Sequence, residues 1–383
     1  MRFIRHYSAL TEGTDHEKMY ACTLQRLTNV FHASIMDDLE EGLIRRKAVA
    51  QLAGVSEATV SRVLNGVGPV KEETRKRVME AAKQLNYVPS ALAQQFARQK
   101  SGNLGVILPL LPKVNVFSTY YFSEILSGIG HTAKQSGYDL LMLFREPGEP
   151  REYAHLFRTQ KIDACIILGA QNIPSDYDAL KELQREGHPF CLINQQYEGA
   201  PFNTVDADHR MGSYDATVHL MKQGCQRIWF LNGPSAFSNS LDRLEGYCQA
   251  LETAGEPFDP NRVLVGNYSR KSGYESADIM AELIRTGQAD AVIAANDRMA
   301  IGLLQGLKER GLIAGEDYAL VGCDDSDGAR LTDPPLTSIA VPFYEAGCEA
   351  TSRMLEALTE PVLTAPFTAK LPVRLVVRAS SQV

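Results

Sequence analysis

Three sets of polar residues stand directly after short apolar runs. Asn194 follows Pro-Phe-Cys-Leu-Ile, Asn296 and Asp297 follow Ala-Val-Ile-Ala-Ala, and Asp324 with Asp325 follows Ala-Leu-Val-Gly-Cys. Amides and carboxylates hydrogen-bond readily to hydroxyl-rich small molecules. Each of these residues is also an ordinary cap for a following helix. Their coincidence at three strand ends is what points to a binding site, because open α/β sheets bind ligands beyond their carboxyl edges. A second set, Ser56, Glu57, Ala58, Thr59, Ser61 and Arg62, lies far upstream at helical spacing. Short polar side chains and an arginine so arranged can meet base edges and phosphates in a major groove. Catalytic chemistry finds less support. Asp324 and Asp325 could form an acid–base pair, with His209 or His219 as a base. Adjacent residues seldom point the same way, however, and no GxSxG, HExxH or phosphate-loop pattern occurs. The expectation is a binding protein with no enzymatic activity and no cofactor.

The elements that must position these residues alternate regularly. Strand-length apolar runs occur at Leu104–Leu110, Asp139–Phe144, Ala164–Gly169, Pro189–Asn194, Arg227–Leu231, Ala291–Ala294 and Ala319–Gly322. Helical patterns lie between them at Phe122–Gln135, Asp208–Gln223, Asp242–Ala254, Gly273–Arg285 and Asp297–Arg310. Such alternation implies parallel sheets covered by helices. It runs from Asn103 to the end of the chain, longer than one core comfortably serves, so two doubly wound α/β lobes are expected.

Upstream of these lobes, residues 47–65 read as two helices joined by a tight turn. Val49, Ala50 and Ala53 form the inner face of the first helix. Gly54 ends it, Val55 plugs the turn, and Ser56 caps a second helix with Val60, Val63 and Leu64 inside. A third helix is expected over Glu72–Leu85, with Arg75, Lys76, Arg77 and Lys83 available to phosphates. Charge separates this head from the rest. Residues Ile44–Lys100 carry a net charge of +7 and the remainder −14, which together make the −7 of the whole chain. A basic block on an acidic body suits a DNA-binding head. No apolar run approaches the ~18 residues of a membrane helix. Glu12, Asp15 and Glu17 interrupt any secretory leader, so a cytoplasmic location is expected. The seven cysteines, Cys22, Cys165, Cys191, Cys225, Cys248, Cys323 and Cys348, show no metal-binding spacing. They read as small buried hydrophobes in a reducing compartment, with no metal site.

Ala-Gly-Val-Ser-Glu-Ala-Thr-Val-Ser-Arg-Val-Leu-Asn-Gly, then Thr74-Arg-Lys-Arg-Val, then Leu85-Asn-Tyr-Val-Pro, closely resembles the LacI/GalR family of bacterial regulators. The resemblance runs from about Val49 to Val377. It implies an all-α helix-turn-helix head (44–88), a hinge helix and linker (89–102) and a two-lobed, periplasmic-binding-protein-like sensor (103–383). It also implies a homodimer on double-stranded, palindromic operator DNA, acting as a repressor or an activator. The recognition helix would be Ser56–Asn65, with Thr74 and Arg75 on the backbone. Ala93 and Phe96 would lie in the minor groove, Phe96 standing where the family has a leucine wedge. In the sensor, Arg243 matches the arginine that pairs with ligand oxygens, and Asn296 and Asp324 match sugar-contacting positions. Tyr268 and Phe343 match aromatic walls, and Tyr121 and Phe122 lie in a segment that presents aromatics to the ligand. With Asn194 these make a set suited to a sugar-like effector. The resemblance puts Asn103–Gln223 and Val341–Lys370 in the first lobe, and Gly224–Ala340 and Leu371–Val383 in the second. Two further features depart from the family. Leu111–Thr119 lacks the usual Asp-x-x-Asn-Pro motif, which leaves the effector open. Arg45, Arg46, Lys47 and Ala48 replace the usual start of the first helix. Residues 1–43 have no family counterpart and are either an extension or sequence upstream of a start at Met36.

Overall fold

The computed structural model describes residues 46–88, 100–111, 115–146, 148–359 and 366–382. The chain divides into two compact units between Lys100 and Ser101.

In the first unit, helix α1 covers 46–53, α2 covers Glu57–Asn65 and α3 covers Glu72–Gln84. Gly54 turns the chain at φ +64°, a conformation that costs glycine little, and the Val55 amide donates to the Ala50 carbonyl at 3.0 Å. Ser56 is extended, and its hydroxyl accepts the Thr59 amide at 3.1 Å, satisfying one free donor at the start of α2. Val49, Ala50, Ala53, Val60, Val63, Val78, Ala81 and Ala82 close a small core.

The second unit holds two six-stranded sheets. Strands β1 (Asn103–Pro109), β2 (Asp139–Arg145), β3 (Ala164–Leu168), β4 (Phe190–Ile193) and β5 (Thr204–Ala207) belong to the first. Strands β6 (Ile228–Asn232), β7 (Val263–Val265), β8 (Ala291–Ala294), β9 (Ala319–Asp324) and β10 (Thr337–Ala340) belong to the second. Two late strands, β11 (Thr368–Leu371) and β12 (Arg374–Val376), complete one edge of each. The orders are β11-β5-β4-β3-β1-β2 and β12-β10-β9-β8-β6-β7. The pattern 2-1-3-4-5 thus occurs twice, and every pairing is parallel except the antiparallel β10–β12. Each sheet therefore has a switch point, between β1 and β3 and between β6 and β8, where ligand crevices form. The central strands β3, β4 and β8 are buried along their whole length, as strands covered by helices on both faces must be.

The principal covering helices are α4 (Tyr120–Gln135), α5 (Tyr153–Arg158), α6 (Pro174–Arg185), α7 (His209–Lys222) and α8 (Ser238–Thr253). They continue with α9 (Arg270–Glu275), α10 (Ala277–Arg285), α11 (Asp297–Glu309), α12 (Asp327–Leu331) and α13 (Phe343–Ala357). Among the described residues, no helix is long and apolar enough to cross a membrane. Glycine lets α4 and α13 cross in backbone contact. A Cβ on Gly128 would stand 2.1 Å from the Tyr344 carbonyl oxygen, and one on Gly347 2.3 Å from that of Ile125.

The structure differs from the sequence expectations in three respects. Strands β5, β7, β10, β11 and β12 were not expected; each has three or four residues, too few for a clear period. The helix expected over Gly273–Arg285 is instead α9 and α10, meeting at Ser276. Helix α7, assigned to the first lobe, packs on the second, because Gly212 seats its inner face against Ile339 and Val373. The chain therefore passes from the first sheet to the second after β5, returns after β10 and crosses once more between β11 and β12.

Candidate functional site

The outer face of α2 presents Ala58 and Arg62 to solvent, with Glu57, Thr59 and Ser61 half-buried beside them. Arg46 Nε donates to Glu57 Oε2 at 3.3 Å, so α1 orients an acidic residue on this face. Thr59 Oγ1 lies 2.9 Å from Ser56 Oγ. Asn65 is the exception among the residues expected to meet DNA. It is buried, and its Nδ2 donates to Ser61 Oγ at 3.1 Å, one turn back on the same helix. On α3, Thr74 and Arg75 are half-buried, and Arg75 Nε lies 3.7 Å from Glu72 Oε2. Lys76, Arg77 and Lys83 are exposed. Ala93 and Phe96 lie outside the described residues.

In the second unit, the carboxyl ends of both sheets line one cavity of about 270 Å³. All eight residues singled out in the sequence reach it: Tyr121, Phe122, Asn194, Arg243, Tyr268, Asn296, Asp324 and Phe343. Tyr121, Phe122, Phe343 and Asn194 come from the side of the first sheet, and Arg243, Tyr268, Asn296 and Asp324 from that of the second. Tyr121 meets Phe343 edge-on at 5.1 Å between ring centres and Phe122 at 4.8 Å. Across the cavity Tyr268 packs against Phe237 at 5.8 Å. Gly233 makes room for the Tyr268 ring, since a Cβ there would lie 2.1 Å from its Cζ. Asn194, Tyr268 and Asp324 adopt φ values of +56°, +64° and +128°. Side chains in such conformations are strained, and strain of this kind concentrates at ligand sites.

The polar groups form one network. Arg243 is 4% exposed. Its Nη1 donates to the Tyr268 hydroxyl at 3.4 Å, and its Nη2 lies 3.2 Å from His209 Nδ1. A guanidinium only donates, so His209 Nδ1 accepts and the proton sits on Nε2. That Nε2 lies 3.1 Å from Asn194 Oδ1 and 3.4 Å from Asp206 Oδ1. Burial and the nearby Arg243 charge hold the His209 pKa below its ordinary value. The Cys323 thiol beside Arg243 is pushed up to about 12 by burial and stays neutral. Among the described residues no carboxylate oxygen lies within ion-pairing distance of the Arg243 guanidinium. Its Nε, like Asn194 Nδ2, is buried without a hydrogen-bond partner. Asp324 is raised well above the carboxylate range, by burial and then by the charge of Asp297. Asp297 is pushed up to about 6 by burial, although it accepts from Ser338 Oγ at 2.6 Å and from Ser326 N and Oγ at 2.8 Å. It braces the cavity floor without reaching the lumen, as a helix-terminal residue can. Asn296 caps α11, accepting the Met299 amide at 2.9 Å, while its Nδ2 donates to the Tyr268 carbonyl at 3.1 Å. An arrangement of one buried cation without an ion-pair partner, a spare amide donor and two aromatic walls can bind and orient a small polar molecule. Among the described residues no group of acidic, histidine and cysteine side chains is placed to hold a metal.

Sequence reasoning missed several lining residues. Phe237, Asn239 and Arg298 face the cavity, as do Gln171 and Asn267. Phe237 and Asn239 lie at the start of α8, which begins before the expected Asp242 because Ser238–Leu241 has no apolar period to announce it. Asn267 follows the three-residue β7. His209 drew notice only as a rival base, and nothing local reveals its place between Asn194 and Arg243.

Comparison with known proteins agrees with both units. Residues 47–90 match the model for bacterial regulatory proteins of the lacI family, and residues 217–381 match the periplasmic binding protein-like domain. The chain is 33% identical to the HTH-type transcriptional repressor CytR of Escherichia coli (strain K12), over 83% of this chain and 91% of that protein. It is 31% identical to the transcriptional regulator AscG of the same organism, over 80% and 90%. Among solved structures, the lac repressor dimer bound to operator and the anti-inducer ONPF matches with a TM-score of 0.74 and 28% identity, over 88% and 98% of the two chains. The CelR–cellobiose complex matches with a TM-score of 0.67 and 29% identity, over 88% and 99%.

Proposed function

Because this chain belongs to the lacI family of bacterial regulatory proteins, we propose that it is a repressor, binding a palindromic operator as a homodimer under the control of a sugar-like effector. DNA-binding transcriptional regulation is the family's activity, and the chain carries both the helix-turn-helix and the periplasmic-binding-like part. In this reading α2 lies in the major groove. Ala58, Thr59, Ser61 and Arg62 then meet base edges, Ser56 and Glu57 flank them, and Thr74 and Arg75 hold phosphates. Asn65 steadies the end of α2 from within. Ala93 and Phe96 enter the minor groove at the operator centre. The lac repressor dimer on its operator, at 28% identity over nearly its whole length, supports this assembly. The named sugar partner of CelR supports the effector class.

The observation that carries the sensor reading is the meeting of all eight expected residues in one cavity between two sheets. A ligand touching Tyr121, Asn194 and Phe343 on one side and Arg243, Tyr268 and Asp324 on the other favours one spacing of the sheets. Control then follows from the difference in its affinity for two such spacings.

The test is a gel-shift titration with DNA from upstream of the chain's own gene, repeated across a range of salt concentrations and with a panel of sugars and sugar acids. Sequence-preferring binding that weakens with salt is expected. Release by one compound identifies an inducer, and tightening identifies a co-repressor. Binding with no sequence preference overturns the reading.

A further inference from the structure

The main cavity has a side branch of about 100 Å³. The two share Pro109, Leu111, Gly169, Ala170 and Gln171, so they adjoin along the carboxyl ends of β1 and β3 with these residues between them. Two arginines line the branch, and their situations differ. Arg151 is charge-paired: its Nε donates to Asp176 at 2.9 Å, and its Nη1 donates to the carbonyls of Glu146 and Glu149 at 3.0 and 2.9 Å. The other oxygen of Asp176 accepts the Gln171 amide at 2.8 Å, so that carboxylate is committed as well. Arg145 has no such balance. It stands at the end of β2 beside Pro109, its backbone fixed by the Leu110 amide at 2.8 Å. Its side chain makes one bond, from Nη1 to the neighbouring Phe144 carbonyl at 3.2 Å. Its Nε is buried without a partner. The branch therefore holds one positive charge more than its carboxylates balance, close to the effector cavity.

A partly buried guanidinium with unused donors is costly unless an anion meets it, and its planar fork suits a carboxylate or a phosphate. We infer that the effector carries an anionic arm, which enters the side branch and pairs with Arg145 while its polar body occupies the main cavity. The side branch has room for a carboxylate or phosphate group. This inference rests on the sensor reading above and narrows the effector from sugar-like compounds in general to acidic ones.

The test uses the full chain and matched probes: glucose, glucuronate and glucose 6-phosphate, and ribose with ribose 5-phosphate. Titration calorimetry compares them on the natural sequence, on Arg145→Gln and on Arg145→Lys. At least one acidic member should bind about 10–100-fold more tightly than its neutral parent, as charge-assisted hydrogen bonds provide. Arg145→Gln should reduce that ratio to within about threefold, and Arg145→Lys, which keeps the charge but not the fork, should leave an intermediate ratio. A phosphate preference over glucuronate identifies a phosphorylated effector, and the reverse a carboxylate. The inference is overturned if neutral parents bind as well as their acids, if no acidic probe binds, or if the ratio survives Arg145→Gln. Operator release by a neutral sugar would also overturn it while leaving the regulator reading intact. Loss of the regulator reading would show separately, as DNA binding without sequence preference.

Discussion

Replacing Arg243 with methionine should make the unliganded chain more stable while removing its response to effector. Arg243 is a nearly fully buried cation whose hydrogen-bond partners are the Tyr268 hydroxyl, the His209 imidazole and the Cys323 thiol, all neutral, and the Asp324 carboxyl that attracts it lies beyond ion-pairing distance. A buried ion retains a desolvation cost of several kcal/mol when no counter-charge offsets it. Methionine fills similar volume without that cost. Against this, His209 Nδ1 loses its donor, which costs about 1–3 kcal/mol. Tyr268 is little affected, because Ser240 and Asn239 still bond its hydroxyl. The balance is a gain of about 1–2 kcal/mol, or roughly 2–8 °C in melting temperature for a unit of this size. Calorimetric melting without ligand measures the first effect, and titration with the effector the second, where a loss of at least about 10–100-fold is expected. A loss of stability greater than about 1 kcal/mol would refute the reasoning, because it would make Arg243 a structural cation.

Three further outcomes are expected. Ser56→Ala removes the acceptor for the Thr59 amide and should cost about 1 kcal/mol in the unfolding of the head, whereas Ser56→Asp should cost little; equal losses in urea melts would contradict the cap. Gly128→Ala drives a Cβ against the Tyr344 carbonyl and should cost about 3 kcal/mol or more, while Gly130→Ala, with nothing nearer than 3.7 Å, should be neutral or slightly stabilising. Similar melting temperatures for the two would show that α4 and α13 do not touch there. His209 is held below its ordinary pKa, so folding disfavours its protonated form. Its contribution to stability is complete above about pH 6.5 and declines as pH falls from there toward the lowered value. Imidazole nitrogen shifts at pH 6 should still report a neutral ring protonated on Nε2, and a charged ring would contradict the network.

Much of this molecule was legible in the sequence because its signals are local. The Ala-Gly-Val-Ser turn and its cap depend on neighbouring residues, and the family resemblance they supported holds. Buried parallel strands announce themselves as unbroken apolar runs, and the residue after each run stands at the ligand edge by topology alone. This is why Asn194, Asn296 and Asp324 could be chosen. What escaped depends on distant partners. The placement of α7 turns on Gly212 meeting Ile339 and Val373, and the role of His209 on a bond to Arg243, in another helix. Nothing in the sequence around Arg145 singles it out. Only the neighbours that Asp176 had already taken made it an unmatched charge.

The late strands β11 and β12 have a consequence for how the chain is made. Residues 368–376 close an edge of both sheets, next to β5 in one and β10 in the other. During synthesis on the ribosome, neither sheet can be finished until residues 368–376 have emerged. A nascent chain halted before Thr368 would expose two unpaired strand edges at once, each a template for pairing with another chain. Deletion of residues 368–376 should therefore be read out as aggregation of the whole second unit.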